Sequence, residues 1–90
     1  MRISADKSFF KDLSKLTPSE KKKVENLLNI IKKANKLSEI SEVKKIKGYK
    51  SLYRIRMGNF RIGIRYSNQT VILIRILRRK DIYKYFPLFI

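Results

Sequence analysis

Apolar and polar side chains alternate between residues 53 and 76, and this period of two constrains the fold more than any other feature of the sequence. Alternation at a period of two is typical of β-strands, because successive side chains point to opposite faces. The apolar positions fall into three runs: Tyr53, Ile55 and Met57; Phe60, Ile62, Ile64 and Tyr66; Ile72, Ile74 and Ile76. The third run is also apolar at Val71 and Leu73, which predicts an interior strand.

Two short turns join these strands into a predicted antiparallel meander. Gly58-Asn59 is a two-residue hairpin signal. It places Met57 opposite Phe60 and so fixes the register of the other cross-strand pairs. For the second turn, a three-residue loop over 67–69 pairs Tyr66 with Thr70. We favour that loop because it keeps the isoleucines on one face.

The first 33 residues have helical instead of strand periodicity. Apolar residues recur at helical spacing from Phe9 to Leu16 and again from Val24 to Ile31. Between them, Thr17-Pro18-Ser19-Glu20 combines a capping box with proline at the first helical position. The sequence therefore predicts a helical hairpin, preceded by a possible short strand at Arg2-Ile3.

These elements together predict an α+β fold, in which an N-terminal helical hairpin packs on a small, mainly antiparallel β-sheet. A short helix or tail closes the chain, and its apolar end Pro87-Leu88-Phe89-Ile90 is expected to dock on the core or cover a partner-binding surface. We expect one domain over 1–90, since a chain of this length does not support two cores. With no apolar stretch near 20 residues and no signal segment, we expect a soluble cytoplasmic protein without membrane contact.

Composition excludes several kinds of chemistry. The chain has no cysteine and no histidine, which removes disulfides, imidazole catalysis and the usual ligands of transition metals. We therefore expect no metal and no cofactor. Any catalysis has to use arginine, lysine, tyrosine, carboxylates or the backbone.

Charge is concentrated in the second half of the chain. Of the net +16, residues 1–43 carry ten basic and six acidic side chains, whereas residues 44–90 carry thirteen basic side chains against Asp81 alone. Under the predicted pairing, Arg56, Arg61 and Arg75 form a row across three strands, extended by Arg54 and Arg65. Like charges opposite one another destabilise a sheet, so this row indicates a polyanionic partner, although carboxylates of the helices are an alternative partner.

Two further features lie beside this row. Gly63 indicates either a kink or bulge in the strand or an opening through which a backbone or base approaches. The last segment combines Arg78, Arg79 and Lys80 with Tyr83 and Tyr85, of which we expect one tyrosine to face the arginines.

The sequence resembles the RelE/ParE superfamily of toxins. Residues 46–61, IKGYKSLYRIRMGNFR, are similar to that family's LKGYKGLYRIRVGDYR segment. The C-terminal segment over 72–83 resembles the family's ILRVGHRRDIY. The resemblance covers nearly the whole chain. It implies a RelE-like fold and a toxin of a type II toxin–antitoxin system that enters the ribosomal A site, contacts rRNA there and cuts mRNA without metal. It also implies a cognate antitoxin as partner.

The same resemblance assigns the site. It implies that the catalytic residues are Arg54, Arg56, Arg61, Arg79 and Tyr83. In this assignment Arg56 and Arg61 clamp the phosphate, Tyr83 acts as base, and Arg79 serves the leaving group. Further RNA-binding residues are expected to be Arg65, Arg75, Arg78, Lys80, Lys47 and Lys50.

The chain departs from the family pattern at two places. Leu77-Arg78 replaces the Gly-His pair, and Arg54 and Arg56 stand where some active members have lysines. Two other hypotheses therefore stay open. One is a ParE-like inhibitor of DNA gyrase, and the other is a catalytically weak relative that binds nucleic acid.

Overall fold

The protein folds as a five-stranded mixed sheet with two helices on one face and a short third helix on the other. The structure is a computed structural model, and it describes residues 1–87. The predicted tail residues 88–90 lie outside the described part of the chain. The elements are β1 (Arg2–Ala5), α1 (Lys7–Leu13), α2 (Pro18–Lys33), a 3₁₀ turn (Leu37–Glu39), β2 (Val43–Lys45), β3 (Leu52–Met57), β4 (Phe60–Ser67), β5 (Thr70–Arg78) and α3 (Ile82–Tyr85).

The order of strands in the sheet is β1-β5-β4-β3-β2. The meander β3-β4-β5 is antiparallel, as predicted, and β5 is an interior strand between β1 and β4. Strand β1 pairs in parallel with β5, which confirms the short strand expected near Arg2. Strand β2 was not predicted, because three residues with one apolar side chain show no recognisable alternation.

The helical hairpin forms as its start signal indicates. The Thr17 hydroxyl accepts a hydrogen bond from the Glu20 N–H at 3.1 Å, and the Glu20 carboxylate accepts one from the Thr17 N–H at 2.9 Å. Val24 and Ile31 of α2 and Phe9 of α1 are buried against the sheet. No helix among residues 1–87 is long and apolar enough to cross a membrane.

Each face of the sheet carries its own apolar cluster. The larger cluster lies under the helices and includes Phe9, Val24, Ile55, Ile62 and Ile64. The smaller cluster lies on the opposite face and consists of Ile46, Leu52, Ile74, Ile82 and Phe86. Because both faces are covered, β5 reads as a nearly continuous apolar run.

The first hairpin has the predicted register and the second does not. Met57 pairs with Phe60 and Arg56 with Arg61, as expected for the Gly58-Asn59 loop. The second loop has two residues, Asn68 and Gln69, both with positive φ, and it pairs Ser67 with Thr70. A register shift between Gly63 and Ile64 then places Leu77, and not Arg75, opposite Arg61.

The predicted Arg56–Arg61–Arg75 row is therefore wrong in its third member. An extra residue on β5 lets the strand change register while apolar side chains still reach both faces. Beyond the end of β1, helix α1 covers the exposed edge of β5, where the Ser8 hydroxyl donates to the Ile74 carbonyl at 2.6 Å. Arg75 turns toward this helix and not toward Arg61.

Candidate nucleic-acid interface

Four arginines and one tyrosine line a surface cavity of about 470 Å³ on the sheet face opposite α1 and α2. We call it the arginine basin. Its lining residues are Arg54, Arg56, Arg61, Arg79 and Tyr83. They are the five residues to which the sequence resemblance assigned catalysis.

The strands place the first three arginines by simple alternation. On β3, Ile55 points into the larger core, so Arg54 and Arg56 on either side of it point to the other face. On β4, Arg61 lies between the core residues Phe60 and Ile62 and shares the face of its partner Arg56. The hairpin loop holds them in register, and Gly58 there has a φ of 56°, which suits glycine.

The segment after β5 supplies the other two basin residues. The N–H of Arg79 donates to the Asn59 carbonyl at 2.9 Å, which ties the end of β5 to the tip of the first hairpin. Ile82 is fully buried, and the next residue, Tyr83, is exposed at the basin. Tyr85 lies outside the basin, under the guanidinium of Arg75 at 5.5 Å. Each tyrosine therefore faces an arginine, and the expectation that only one of them would is wrong.

Arg61 is the buried residue of the basin. Only 7% of it is exposed, and its Nη1 donates to the carbonyls of Gly58 and Phe60, both at 2.9 Å. Burial lowers the pKa of Arg61, and the charges of Arg56, Arg54 and Arg79 lower it further, while Tyr83 acts in the opposite direction. The fold therefore holds a guanidinium where its charged form is disfavoured.

Carboxylates are scarce around this basin. Among residues 1–87, the one ion pair made by a basin residue joins Arg56 to Glu42 at 3.8 Å, and both side chains are more than half exposed. Such an exposed pair contributes about 0–1 kcal/mol. The Glu42 carbonyl also accepts from Arg54 Nη1 at 3.3 Å. The sequence did not indicate that Glu42 lies beside the basin, because this residue belongs to no recognisable motif. Its φ of 64° places its backbone in the left-handed region.

Arg75 has a different environment. Its Nε donates to Asp12 Oδ2 at 2.7 Å and its Nη2 to Asp12 Oδ1 at 2.9 Å, while the Ile76 N–H donates to the same carboxylate at 3.1 Å. These hydrogen bonds, and then the charge of Asp12, raise the pKa of Arg75 against the effect of burial. For Arg75, the alternative of a carboxylate from the helices is therefore confirmed, and the carboxylate is that of Asp12.

The remaining residues expected to bind RNA lie outside the basin. Arg65 is half-buried on the basin face of β4, and Lys47 and Lys50 are exposed between β2 and β3. Arg78 stacks over the Phe60 ring at 5.0 Å, and Lys80 lines a neighbouring cavity with Arg79. Among residues 1–87, no three side chains of the metal-binding types cluster.

Comparison with known proteins gives a consistent picture. Residues 3–83 match the family model described as "ParE toxin of type II toxin-antitoxin system, parDE". Toxin RelE3 of Methanocaldococcus jannaschii is 41% identical over 97% of this chain and all of its own. Putative toxin RelE1 of the same organism is 32% identical, over 91% of this chain and 93% of its own.

Solved structures agree with these sequences. The crystal structure of the RelB-RelE antitoxin-toxin complex from Methanococcus jannaschii superposes with a TM-score of 0.79 at 40% identity, over 93% of this chain and 99% of the matched chain. The archaeal RelE-RelB complex from Pyrococcus horikoshii gives 0.70 at 21% identity, over 87% of this chain and 93% of the matched chain, which shows the shared fold.

Proposed function

The chain belongs to the RelE/ParE superfamily of toxins from type II toxin–antitoxin systems, and from this premise we propose that it is a metal-independent endonuclease of ribosome-bound mRNA. The observation that carries the proposal is the arginine basin. A buried guanidinium with three cationic neighbours destabilises the fold through charge repulsion. The same arrangement would stabilise a bound anion whose charge grows during the reaction.

The proposed reaction is a transfer of the RNA phosphate to the neighbouring 2′ oxygen. The 2′ hydroxyl loses its proton and attacks phosphorus, the bond to the 5′ oxygen breaks, and a cyclic phosphate forms. Arg56 and Arg61 hold the phosphate oxygens and stabilise the charge that develops on them. Arg54 adds a third cation on the β3 side of the same basin.

Tyr83 is assigned the proton transfer from the 2′ hydroxyl. The guanidinium groups stay protonated in proteins, so the phenolic oxygen is the basin atom left to accept the 2′ proton, which it does as the phenolate after its own proton has passed to solvent. Arg79 lies on the same side of the basin and stabilises the departing 5′ oxygen. That oxygen takes its proton from solvent, because Tyr83 is 59% exposed and the basin is open to water.

Replacement of the family's Gly-His pair is compatible with this assignment. Leu77 packs against the smaller apolar cluster, and Arg78 stacks on Phe60 away from the basin. Neither residue lines the basin, so the reaction relies on Tyr83 and the arginines. Flanking phosphates of mRNA or rRNA are proposed to contact Arg65, Lys47, Lys50, Lys80 and Arg78. Arg75 is assigned a structural role instead, because its guanidinium is bound by Asp12.

A cognate antitoxin is proposed as the protein partner. The archaeal relatives have been crystallised as RelB-RelE antitoxin-toxin complexes. A chain of net charge +16 suits an acidic partner, because complementary potentials speed association and suppress wrong partners. The proposal places this partner on the toxin as an amphipathic helix that brings carboxylates to the basic face.

Primer extension on translated mRNA tests the nuclease directly. After induction, the native chain is expected to produce cuts within codons. Arg61→Ala and Tyr83→Phe are expected to weaken these cuts strongly, on the order of 10²-fold for Tyr83→Phe. Lys33→Ala, on the exposed face of α2, is the matched control and should cut normally. Intact mRNA in arrested cells would contradict the proposal.

A gyrase inhibitor is the second candidate, because the matching family model describes a ParE toxin. This candidate predicts growth arrest with intact mRNA and altered supercoiling of plasmid DNA. The basin favours the nuclease, since binding to gyrase gives no reason to surround a buried arginine with three others and a tyrosine.

A further inference from the structure

Gly63 lies at the centre of the basin face of β4, between Arg61 and Arg65. Its backbone is outside the left-handed region, so other residues could adopt its conformation. The surrounding space is what demands glycine. A Cβ atom at this position would lie 2.6–2.7 Å from three ring atoms of Phe86, which is closer than real contacts allow.

Phe86 fills the slot that glycine leaves. The ring is fully buried and belongs to the smaller apolar cluster, together with Ile74, Leu52 and Ile82. The sequence hypothesis that Gly63 opens a path for a backbone or base is therefore wrong, because the chain's own phenylalanine occupies the opening. Strand β5 departs from regular pairing beside this slot, between Gly63 and Ile64.

The buried position of Phe86 also determines where Tyr83 lies. The Phe86 N–H donates to the Ile82 carbonyl at 2.8 Å, which closes one turn of helix around the tyrosine. Ile82 and Phe86 are both fully buried, whereas Tyr83 between them is exposed at the basin. Two buried anchors thus hold an exposed side chain in place, as α3 alone, with four residues, would not.

We propose that Gly63 is a positioning residue, whose missing side chain seats Phe86 and thereby places Tyr83 beside Arg61 and Arg79. The catalytic part of this inference rests on the proposed nuclease function. The positional part does not, because the position of the 82–86 turn can be measured without cleavage.

The critical variant is Gly63→Ala, compared with Tyr83→Phe and with Gly63→Ala/Phe86→Leu. The added methyl group displaces Phe86 and with it Tyr83, while the arginines stay on β3 and β4. Cleavage of ribosome-bound mRNA should fall as far as in Tyr83→Phe, on the order of 10²-fold, as expected for loss of a proton-transfer group. The affinity for an RNA oligonucleotide should change by less than about threefold, because the interaction lost acts in the transition state.

Combination variants separate positioning from a general structural effect. Adding Tyr83→Phe to Gly63→Ala should cause no further loss, since both remove the same contribution. Adding Phe86→Leu should restore part of the activity, because the smaller side chain makes room for the methyl group. A Gly63→Ala protein that cuts at the native rate, or whose defect adds fully to that of Tyr83→Phe, would overturn the proposal.

Amide hydrogen exchange keeps the inference testable if the native chain does not cut mRNA. The Phe86 N–H should be protected in the native protein and should exchange faster in Gly63→Ala, while the β3 and β4 amides stay protected. Unchanged protection at Phe86 would overturn the inference. If Gly63→Ala fails to fold, the double variant must fold for the slot to be the cause, and its failure would also count against the proposal.

Discussion

Arg61 and Arg75 are two arginines of the same small sheet with opposite environments. Arg75 has a carboxylate that it binds through two hydrogen bonds, and Asp12 also satisfies a backbone N–H of β5. Arg61 is more buried as a residue, yet its hydrogen bonds go to two backbone carbonyls and its charged neighbours are arginines. Folding raises the pKa of Arg75 and lowers the pKa of Arg61.

We propose that this difference separates an arginine that stabilises the fold from one that binds a ligand. A shift in pKa measures how the folded environment treats the charged form. The folded state stabilises the charged form of Arg75, so this arginine contributes to the stability of the fold. Arg61 is held charged at a cost, and binding of an anion would offset that cost. Arginine content alone does not distinguish the two cases.

The largest effect on stability is expected from Asp12→Ala. This change leaves Arg75 without its carboxylate and the Ile76 N–H without an acceptor. Removing one partner of a buried pair costs about 3–5 kcal/mol, and the lower end applies because the Arg75 side chain is 20% exposed. Urea denaturation measures the loss.

Glu25→Ala is the matched control for Asp12→Ala. Glu25 pairs with Lys22 at 3.7 Å, and both side chains are more than 60% exposed. Its removal should cost less than about 0.5 kcal/mol, since exposed helix pairs are worth little. Equal losses in the two variants would remove the distinction between Arg75 and the surface cations.

The next effect in size concerns RNA binding by Arg61→Met. Loss of a clamping guanidinium should weaken binding of a single-stranded RNA oligonucleotide roughly tenfold, the equivalent of about 1.4 kcal/mol. The slope of log affinity against log salt should fall in magnitude by about 0.7, as for one phosphate contact on a single strand. Fluorescence anisotropy across a salt series measures both quantities.

Lys33→Met removes the same charge from the exposed face of α2 and serves as the control for Arg61→Met. Its salt slope should match that of the native protein. If both variants lose affinity equally, RNA binding reflects net charge, and the basin has no special part in it.

A smaller effect is expected from Glu42→Gln. Glu42 pairs with Arg56 at the basin, and under the proposed function its carboxylate would compete with an RNA phosphate for that guanidinium. Neutralising it should tighten RNA binding about twofold, within the range of a weak surface pair, and leave the unfolding free energy nearly unchanged. Weaker binding would instead mean that Glu42 orients Arg56 for the ligand.

The sequence was sufficient for much of this fold. Alternation and the Gly58-Asn59 turn predicted the first hairpin in register, and the capping box predicted the start of α2, because both signals are local. The basin residues on β3 and β4 follow from that register. Arg79 and Tyr83 came from the family resemblance, since nothing local to residues 78–87 places them against the hairpin.

The second hairpin could not be predicted from local signals. Its register depends on the extra residue of β5, and helix α1 binds the free edge there through Ser8 and Asp12. Contacts across more than 60 positions leave no trace in periodicity. For this reason the predicted position of Arg75 is wrong. The opening considered at Gly63 is also wrong, because a residue 23 positions later fills it, whereas the alternative of a kink or bulge agrees with the register shift there.

The unfolding free energy of Arg61→Met in low salt tests the central claim most directly. Methionine retains much of the buried volume and removes the charge, and such replacements at buried charges are often neutral or stabilising. Two hydrogen bonds to the hairpin are lost, and the repulsion from Arg56, Arg54 and Arg79 is lost as well. The account predicts a value within about 1 kcal/mol of the native protein. A loss as large as that of Asp12→Ala would contradict it, because Arg61 would then be an arginine that the fold requires.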